Sequence, residues 1–439
     1  MDSNIELAQR FFETLRTTER LAEPELKSYQ DNLLVRLVEH AVANTKFYRE
    51  AIGDRLEGLD LSVPEDWRKL PTTNRSVLSS RQADLRAKSM PDNHGELKTV
   101  QSGGSTGTPI EVVLSDLEST GRVVSTYRMF DAYRMDPGLP LMMIRHPQFG
   151  SGRRDRLSFR KWCYPWLSED VLGDRIHVDV TTPISDQFRQ IQAHAPLYLN
   201  TLPSNLLRLA LEAKRQKKKL SIPIIISVAE YLPVEVRRLA EETFQARVVD
   251  VLSSSEAGVI AIQCPEGGQY HIQSELVLAE IIDENGEPSP PGALGELVVT
   301  PLYNYATPII RYRSGDFVIR GRPCSCGRTL PTIERILGRK EHMFLHPDGC
   351  RRRPSIDHVE ISNFLGHDAW QLIQEMPNSC KFQYVPYEPL QTGEVGLKAL
   401  LLEMLGDSFR IVIEKSGSIP LTSGGKRNYI NTLIPSELD

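Results

Sequence analysis

A chain of 439 residues is longer than one hydrophobic core usually serves, so two or more domains are expected. The composition, 40% hydrophobic and 25% charged, is that of an ordinary globular protein, and a net charge of −5 excludes nucleic acid as a default partner. No apolar run approaches the roughly 20 residues that a membrane span needs, so no membrane partner is expected either.

The N-terminal "MDSNIELAQRFFETLR" lacks the basic, apolar, small-residue order of a secretory leader. Six cysteines in so long a chain make no disulfide scaffold. A reducing, cytoplasmic setting is expected, where clustered cysteines point to metal.

The first hundred residues read as mostly helical. "LKSYQDNLLVRLVEHAVANTKFYREAI" puts Leu33, Leu34, Leu37, Val38 and Ala41 at helical spacing. "LPTTNRSVL" offers a proline and then polar residues able to cap a helix. At "TVQSGGSTGTPIEVV" two β-rich flanks enclose Ser102, Gly103, Gly104, Ser105, Thr106, Gly107 and Thr108. Glycines let backbone N–H groups converge and hydroxyls add donors, which suits phosphate, although an ordinary glycine-rich turn has the same composition. It is no Walker loop, because no lysine follows the last glycine.

Strand-like runs then alternate with amphipathic helices. "LYLNTLP" precedes "SNLLRLALEAKRQKKK", and "PIIISVAEYLP" precedes "VEVRRLAEETFQ", which leads into "ARVVDVLSSSEAG". Such alternation predicts an α/β domain with a buried sheet. The basic run Lys214 to Lys219 reads as the solvated end of a helix. From about Ser274 the texture turns to β: "ELVLAEIID", the turn "ENGE", "GELVVTPLY" and "TPIIRYRSGD". After "ILGRKEHMF" a small α+β unit is expected, with a helix at "IDHVEISNFLG" and strands at "KFQYVPYE" and "GLKALLLEM".

"CPEGGQYH" supplies Cys264 and His271, and "CSCG" supplies Cys324 and Cys326. Thiolates and an imidazole are typical Zn²⁺ ligands, and four would close a structural site. The Cys-x-Cys spacing is unorthodox, and reduced thiols beside a turn read equally well from the residues. Cys163, Cys350 and Cys380 show no partner pattern.

The glycine-rich loop, "SSSEAG", "RYRSGDFVIRG", "GRKEHMF" and "PLTSGGKRNYI" follow one another across almost the whole chain. In this order the set resembles the adenylate-forming enzymes: acyl-CoA synthetases, luciferases and peptide-synthetase adenylation domains. Within them it looks most like the phenylacetate–CoA ligase branch, whose opening helix, loop and "CSCGRTLP" segment it also resembles. The resemblance implies an α/β fold with a large N-terminal domain of buried mixed sheets, residues 1–337. A small α+β C-terminal domain, residues 338–439, would rotate about a hinge near Glu341.

By resemblance, Ser102 to Thr108 close over the phosphates of ATP, with Ser255 beside them. Ile110 stands where the family loop commonly carries lysine. Glu256 falls where an acidic residue supports Mg²⁺, which prefers carboxylate and phosphate oxygens. Leu252 stands in for the usual adenine-stacking aromatic. Asp316 matches the residue that accepts both ribose hydroxyls, and Arg339 the arginine near ribose and phosphate. Lys426 matches the mobile cation that bridges the acid and the α-phosphate. Similar Cys/His pairs recur in this branch, which favours zinc.

The acid pocket would draw on Arg145, His146, Phe149, Gly150 and Tyr231, the aromatic rings stacking an aromatic acid. Where the branch has a glycine-containing, uncharged segment lining the pantetheine tunnel, this chain reads "FLHPDGCRRRPS". Arg351, Arg352 and Arg353 would bind the CoA 3′-phosphate or a carrier protein's acidic helix, or form a solvated loop. The expected reaction is ATP-dependent activation of a carboxylic acid, then transfer to CoA. Transfer to a carrier-protein thiol or an amine is the alternative, and a catalytically silent nucleotide-binding protein is the reading from another class; a homodimer is the candidate assembly.

Overall fold

The computed structural model describes residues 3–101, 110–146, 158–346, 348–386, 393–422 and 424–434. The chain divides into two compact units. One comprises Met1–Gly138, Trp162–Leu172 and Val251–Ile336; the other comprises Leu139–Lys161, Gly173–Asp250 and Leu337–Asp439. Among the described residues no helix is long and apolar enough to cross a membrane.

In the first unit, the helix Glu23–Asn44 buries Leu26, Leu34, Leu37, Val38 and Ala41, one face at helical spacing. Thr45 ends it and caps the next helix, accepting a hydrogen bond from the Tyr48 amide at 3.1 Å. Asn74 caps Arg75–Ser80 in the same way, accepting from the Val77 amide at 3.0 Å, as "LPTTNRSVL" predicts. Strands Leu97–Gln101 and Glu111–Ser115 pair antiparallel, with Gln101 opposite Glu111. Further strands lie side by side in the order Val277–Ile282, Leu294–Pro301, Tyr312–Arg320, Thr332–Arg339, Tyr270–Ile272 and Gly258–Gln263. The "ENGE" turn is closed by Asp283, whose amide donates to the Glu287 carbonyl at 2.8 Å. The returning strand starts only at Leu294, later than a tight hairpin would have it.

The second unit holds four parallel strands, ordered Asp174–Asp179, Leu141–Arg145, Tyr198–Thr201 and Ile224–Val228. Leu141–Arg145 and Ile224–Val228 are nearly continuous apolar runs because helices such as Pro203–Arg215 and Val234–Phe244 pack in the same buried cluster, whereas Asp174–Asp179 alternates. The strands Arg410–Lys415, Ser379–Tyr384, Trp370–Met376 and Ile430–Thr432 form a second sheet in that order. One buried core runs from Leu206 and Ile225 to Trp370 and Phe382.

The segment "GLKALLLEM", expected as a strand, lies within the helix Gly393–Leu405. Leu397 and Leu401, one turn apart, are its fully buried positions. Leucine, lysine, alanine and glutamate are strong helix formers, and the run Leu400-Leu401-Leu402 masks the period that separates helix from strand.

Candidate active site

The "RYRSGD" motif is a β-bulge. Arg313 faces Val298 and Phe317 faces Glu296, so Ser314, Gly315 and Asp316 together oppose Leu297. Gly315 has φ +74°, a conformation that costs a side-chain-bearing residue about 1 kcal/mol. Ser314 Oγ donates to the Leu297 carbonyl at 2.9 Å and accepts from the Asp316 amide at 3.1 Å. The carboxylate that results is rigidly based and only 8% exposed.

"SSSEAG" is a hairpin in which Ser254 pairs with Gly258 and residues Ser255, Glu256 and Ala257 make the connection. Arg122, from the helix Asp116–Ala132, donates to the carbonyls of Ser255 at 2.8 Å and Glu256 at 3.0 Å. Gly258 admits that side chain: a Cβ there would lie 2.8 Å from Arg122 Cγ. Glu256 is 4% exposed, and its Oε1 lies 4.0 Å from Arg75 Nη1. Arg75 is placed by Thr73, whose amide donates to the Arg311 carbonyl at 2.9 Å and whose carbonyl accepts from the Arg313 amide at 2.8 Å. The "TTNR" segment therefore ties the Asp316 strand to the Glu256 turn. Neither Arg75 nor Arg122 is marked as functional by spacing; the turn's need for donors is the only signal.

Cys264, His271, Cys324 and Cys326 come together, with their ligand atoms all within 4.8 Å of one another. The wide gap in sequence closes because His271 pairs with Thr332, six residues after Cys326. The Cys264 and Cys324 sulfurs are 3.8 Å apart, far beyond a disulfide's roughly 2.05 Å. Cys326 Sγ lies 3.2 Å from His271 Nε2. Tetrahedral zinc with Zn–S of about 2.3 Å and Zn–N of about 2.0 Å sets ligand atoms roughly 3.5–3.8 Å apart, so the group fits that ion. His271 Nδ1 lies 3.3 Å from the Leu330 carbonyl, which as acceptor leaves Nε2 for a metal. Burial holds the imidazole below its ordinary value, in the neutral form that coordinates.

In the second unit, the parallel strands bring their carboxyl ends to one edge. Arg145 ends one strand with His146 next to it, and Ala229, Glu230 and Tyr231 follow another. Burial lowers the Arg145 guanidinium to about 10. Lys426 reaches the same edge, its ammonium donating to the Ala229 carbonyl at 2.8 Å. Ala229 has φ +69°, an uncommon conformation for a residue with a Cβ, and it turns the chain just past the strand. Glu230 takes hydrogen bonds from the Ser204 amide at 2.8 Å and hydroxyl at 3.0 Å. It thereby caps the helix Pro203–Arg215, whose own N-cap residue, Leu202, has no acceptor.

Arg339 ends a strand after Gly338, at φ +95°, and Glu341 lies in the single turn Lys340–His342 that follows. Burial, and then the charges of Arg353, Arg339 and Lys426, lower His342 to about 3. Of the three consecutive arginines, Arg351 donates to the Ile434 carbonyl at 3.2 Å and Arg352 pairs with Asp348. The third, Arg353, stacks on Tyr231, its guanidinium 3.8 Å from the ring centroid. Phe149, Gly150 and the loop Ser102 to Thr108 lie outside the described residues. Ile110 is 1% exposed in the first unit's core, so this position brings no charge to the loop.

Gly425 sets the backbone before Lys426. It has φ +76°, and a Cβ there would lie 2.4 Å from Val180 Cγ1, a buried side chain at the same sheet edge. Gly425→Ala is expected to cost about 1–3 kcal/mol and to lower acid activation with it. The added substitution Val180→Ala should restore part of the melting temperature, since it relieves the clash but not the φ penalty. A Gly425→Ala protein as stable and active as the parent would contradict this geometry.

No protein-family profile matches the chain. It is 28% identical over 345 residues to a phenylacetate–coenzyme A ligase of Thermus thermophilus, covering 74% of this chain and 73% of that one. A phenylacetate–coenzyme A ligase of Escherichia coli is 26% identical over 339 residues, 73% of this chain and 72% of the relative. Among solved structures, 2-hydroxyisobutyryl-CoA ligase in the postadenylation state superposes with a TM-score of 0.69 at 16% identity, over 95% of this chain and 91% of that one. An anthranilate CoA ligase in complex with anthranoyl-AMP gives a TM-score of 0.53 at 15% identity, over 75% and 65%. Fold, motif order and these relatives agree: the chain has the fold of the adenylate-forming CoA ligases and is similar over about three quarters of its length to phenylacetate–coenzyme A ligases.

Proposed function

We propose that the protein activates a carboxylic acid, of the aromatic class, with ATP and passes the acyl group to coenzyme A. The acid's carboxylate attacks the α-phosphorus of ATP and pyrophosphate leaves; the CoA thiol then attacks the acyl carbon of the adenylate and AMP leaves. The observation that carries this reading is the Lys426 ammonium at the carboxyl edge of the parallel strands, where Arg145, His146 and Tyr231 also end. Open α/β sheets bind their ligands at that edge.

Two anions repel as they approach, and a cation between them offsets this most in the transition state, which is the role given to Lys426. Asp316 accepts the ribose hydroxyls from its bulge, with Arg339 near ribose and phosphate. Ser102, Gly103, Gly104, Ser105, Thr106, Gly107, Thr108 and Ser255 bind the phosphates through backbone and hydroxyl donors. Glu256 offers the hard, buried oxygen that suits Mg²⁺, an ion that would screen phosphate charge when bound. Cys264, His271, Cys324 and Cys326 hold a structural zinc, with no open position for chemistry.

Residues 338–439 turn about Glu341 between the two steps. That rotation requires the Lys426–Ala229, Arg353–Tyr231 and His358–Glu235 contacts to open, the last being 2.7 Å long. The test is a pyrophosphate-release screen over aryl, arylacetic and aliphatic acids, with and without CoA. Release is expected to rise with CoA and to be strongest for an aryl or arylacetic acid. Turnover of no acid under either condition would refute the reading.

A further inference from the structure

Arg353 has no counterpart among the motif residues, yet it is tied to the Lys426 edge. Its guanidinium lies 3.8 Å over Tyr231, two residues beyond the Ala229 carbonyl that holds Lys426. Arg353 Nη1 is shut off from solvent and has no hydrogen-bond acceptor among the described residues. Gly338 makes the space for it, since a Cβ there would lie 2.8 Å from that nitrogen. The nearby carboxylates are already engaged, Glu230 by Ser204 and Glu235 by His358. A buried guanidinium nitrogen without an acceptor is costly, and an oxyanion is the ligand that repays it.

We propose that Arg353 is a second oxyanion-binding residue of the activation site, held flat by Tyr231 and binding an oxygen of the acid's carboxylate or of the ATP phosphates through Nη1. Tyr231 is then a platform for Arg353, with one face covered by the guanidinium. The inference rests on Lys426 marking the activation site.

The test compares R353Q, R353K, Y231L and the double variant with the parent, using MgATP binding by calorimetry and pyrophosphate exchange driven by phenylacetate or by the best acid of the screen. R353Q should weaken one anion by roughly 10- to 100-fold: the KM for acid if the partner is the carboxylate, the Kd for MgATP if it is phosphate. R353K should recover little, because an ammonium keeps the charge but not the planar stack. Adding Y231L to R353Q should cost almost nothing further. R352Q, at an exposed arginine paired with Asp348, should behave as the parent.

If R353Q keeps its melting temperature and both constants stay within twofold of the parent, the proposal is overturned. Should R353Q not fold, R353K is judged by the same criterion. Lys426→Ala separates the two readings: if it kills exchange while R353Q does nothing, the site stands and Arg353 lies outside it. If Lys426→Ala also exchanges normally, the site assignment itself falls.

Discussion

Lys426→Ala is expected to abolish acid-dependent pyrophosphate exchange, with a fall on the order of a thousandfold, while thioester formation from preformed acyl-adenylate continues at close to the parent rate. The asymmetry follows from charge. In the first step a carboxylate must approach a polyphosphate, and the ammonium is worth most when both share the new bond. In the second step the nucleophile is a thiol and the leaving group is AMP, so a cation at that position has less to offset. MgATP binding should change little, because the proposed function assigns it to Asp316 and the glycine-rich loop rather than to Lys426. In the structure the side chain is already held at the sheet edge by the Ala229 carbonyl, a neutral acceptor that it can leave without stranding a charge. Unchanged exchange in the variant would remove Lys426 from the chemistry.

Replacing one of the zinc-site cysteines, by Cys264→Ser or Cys326→Ser, is expected to drop the bound zinc below half an equivalent and to lower the melting temperature by ten degrees or more. Structural zinc contributes about 10–16 kcal/mol in peptides that are unfolded without it. Here pairing of His271 with Thr332 already brings the strands together, so a smaller share, of several kcal/mol, is at stake. Cys264 and His271 are 3% and 4% exposed, so losing a metal there would leave buried ligand groups to rely on the Glu266 and Gly267 amides and the Leu330 carbonyl. Cys350→Ser, at an exposed cysteine, should leave both zinc content and melting temperature unchanged. Protein purified without added zinc should carry close to one equivalent, and less than half would count against the site.

Much of the site was legible because its motifs are local. "RYRSGD" needs a glycine at positive φ to make the bulge that presents Asp316, and "SSSEAG" supplies a whole hairpin turn. The helical face of Leu33, Leu34, Leu37, Val38 and Ala41 was equally local; the last four are buried and Leu33 is half-buried at its margin. The helix at Gly393–Leu405 was misread where consecutive leucines erase the period. Arg122, Arg75, His342 and the helix-capping role of Glu230 escaped for another reason. Their partners lie far away in sequence: Arg122 acts on the Ser255 carbonyl, Glu230 on Ser204, and His342 lies near Arg353 and Lys426 as well as its neighbour Arg339.

By itself, then, the order of residues singled out the glycine-rich loop, Glu256, Asp316, the lysine behind two glycines and the set of sulfur and nitrogen ligands, with the proposed roles of the first four resting on the resemblance. These depend on short-range backbone geometry and on side-chain chemistry, both written in adjacent residues. Only the tertiary structure decided that the four zinc-type ligands lie within 4.8 Å of one another, that Lys426 rests on Ala229, and that Arg353 covers Tyr231. Those outcomes depend on strand register and on which glycines permit close approach. Such long-range packing is settled by the whole core at once, and no stretch of sequence carries it alone.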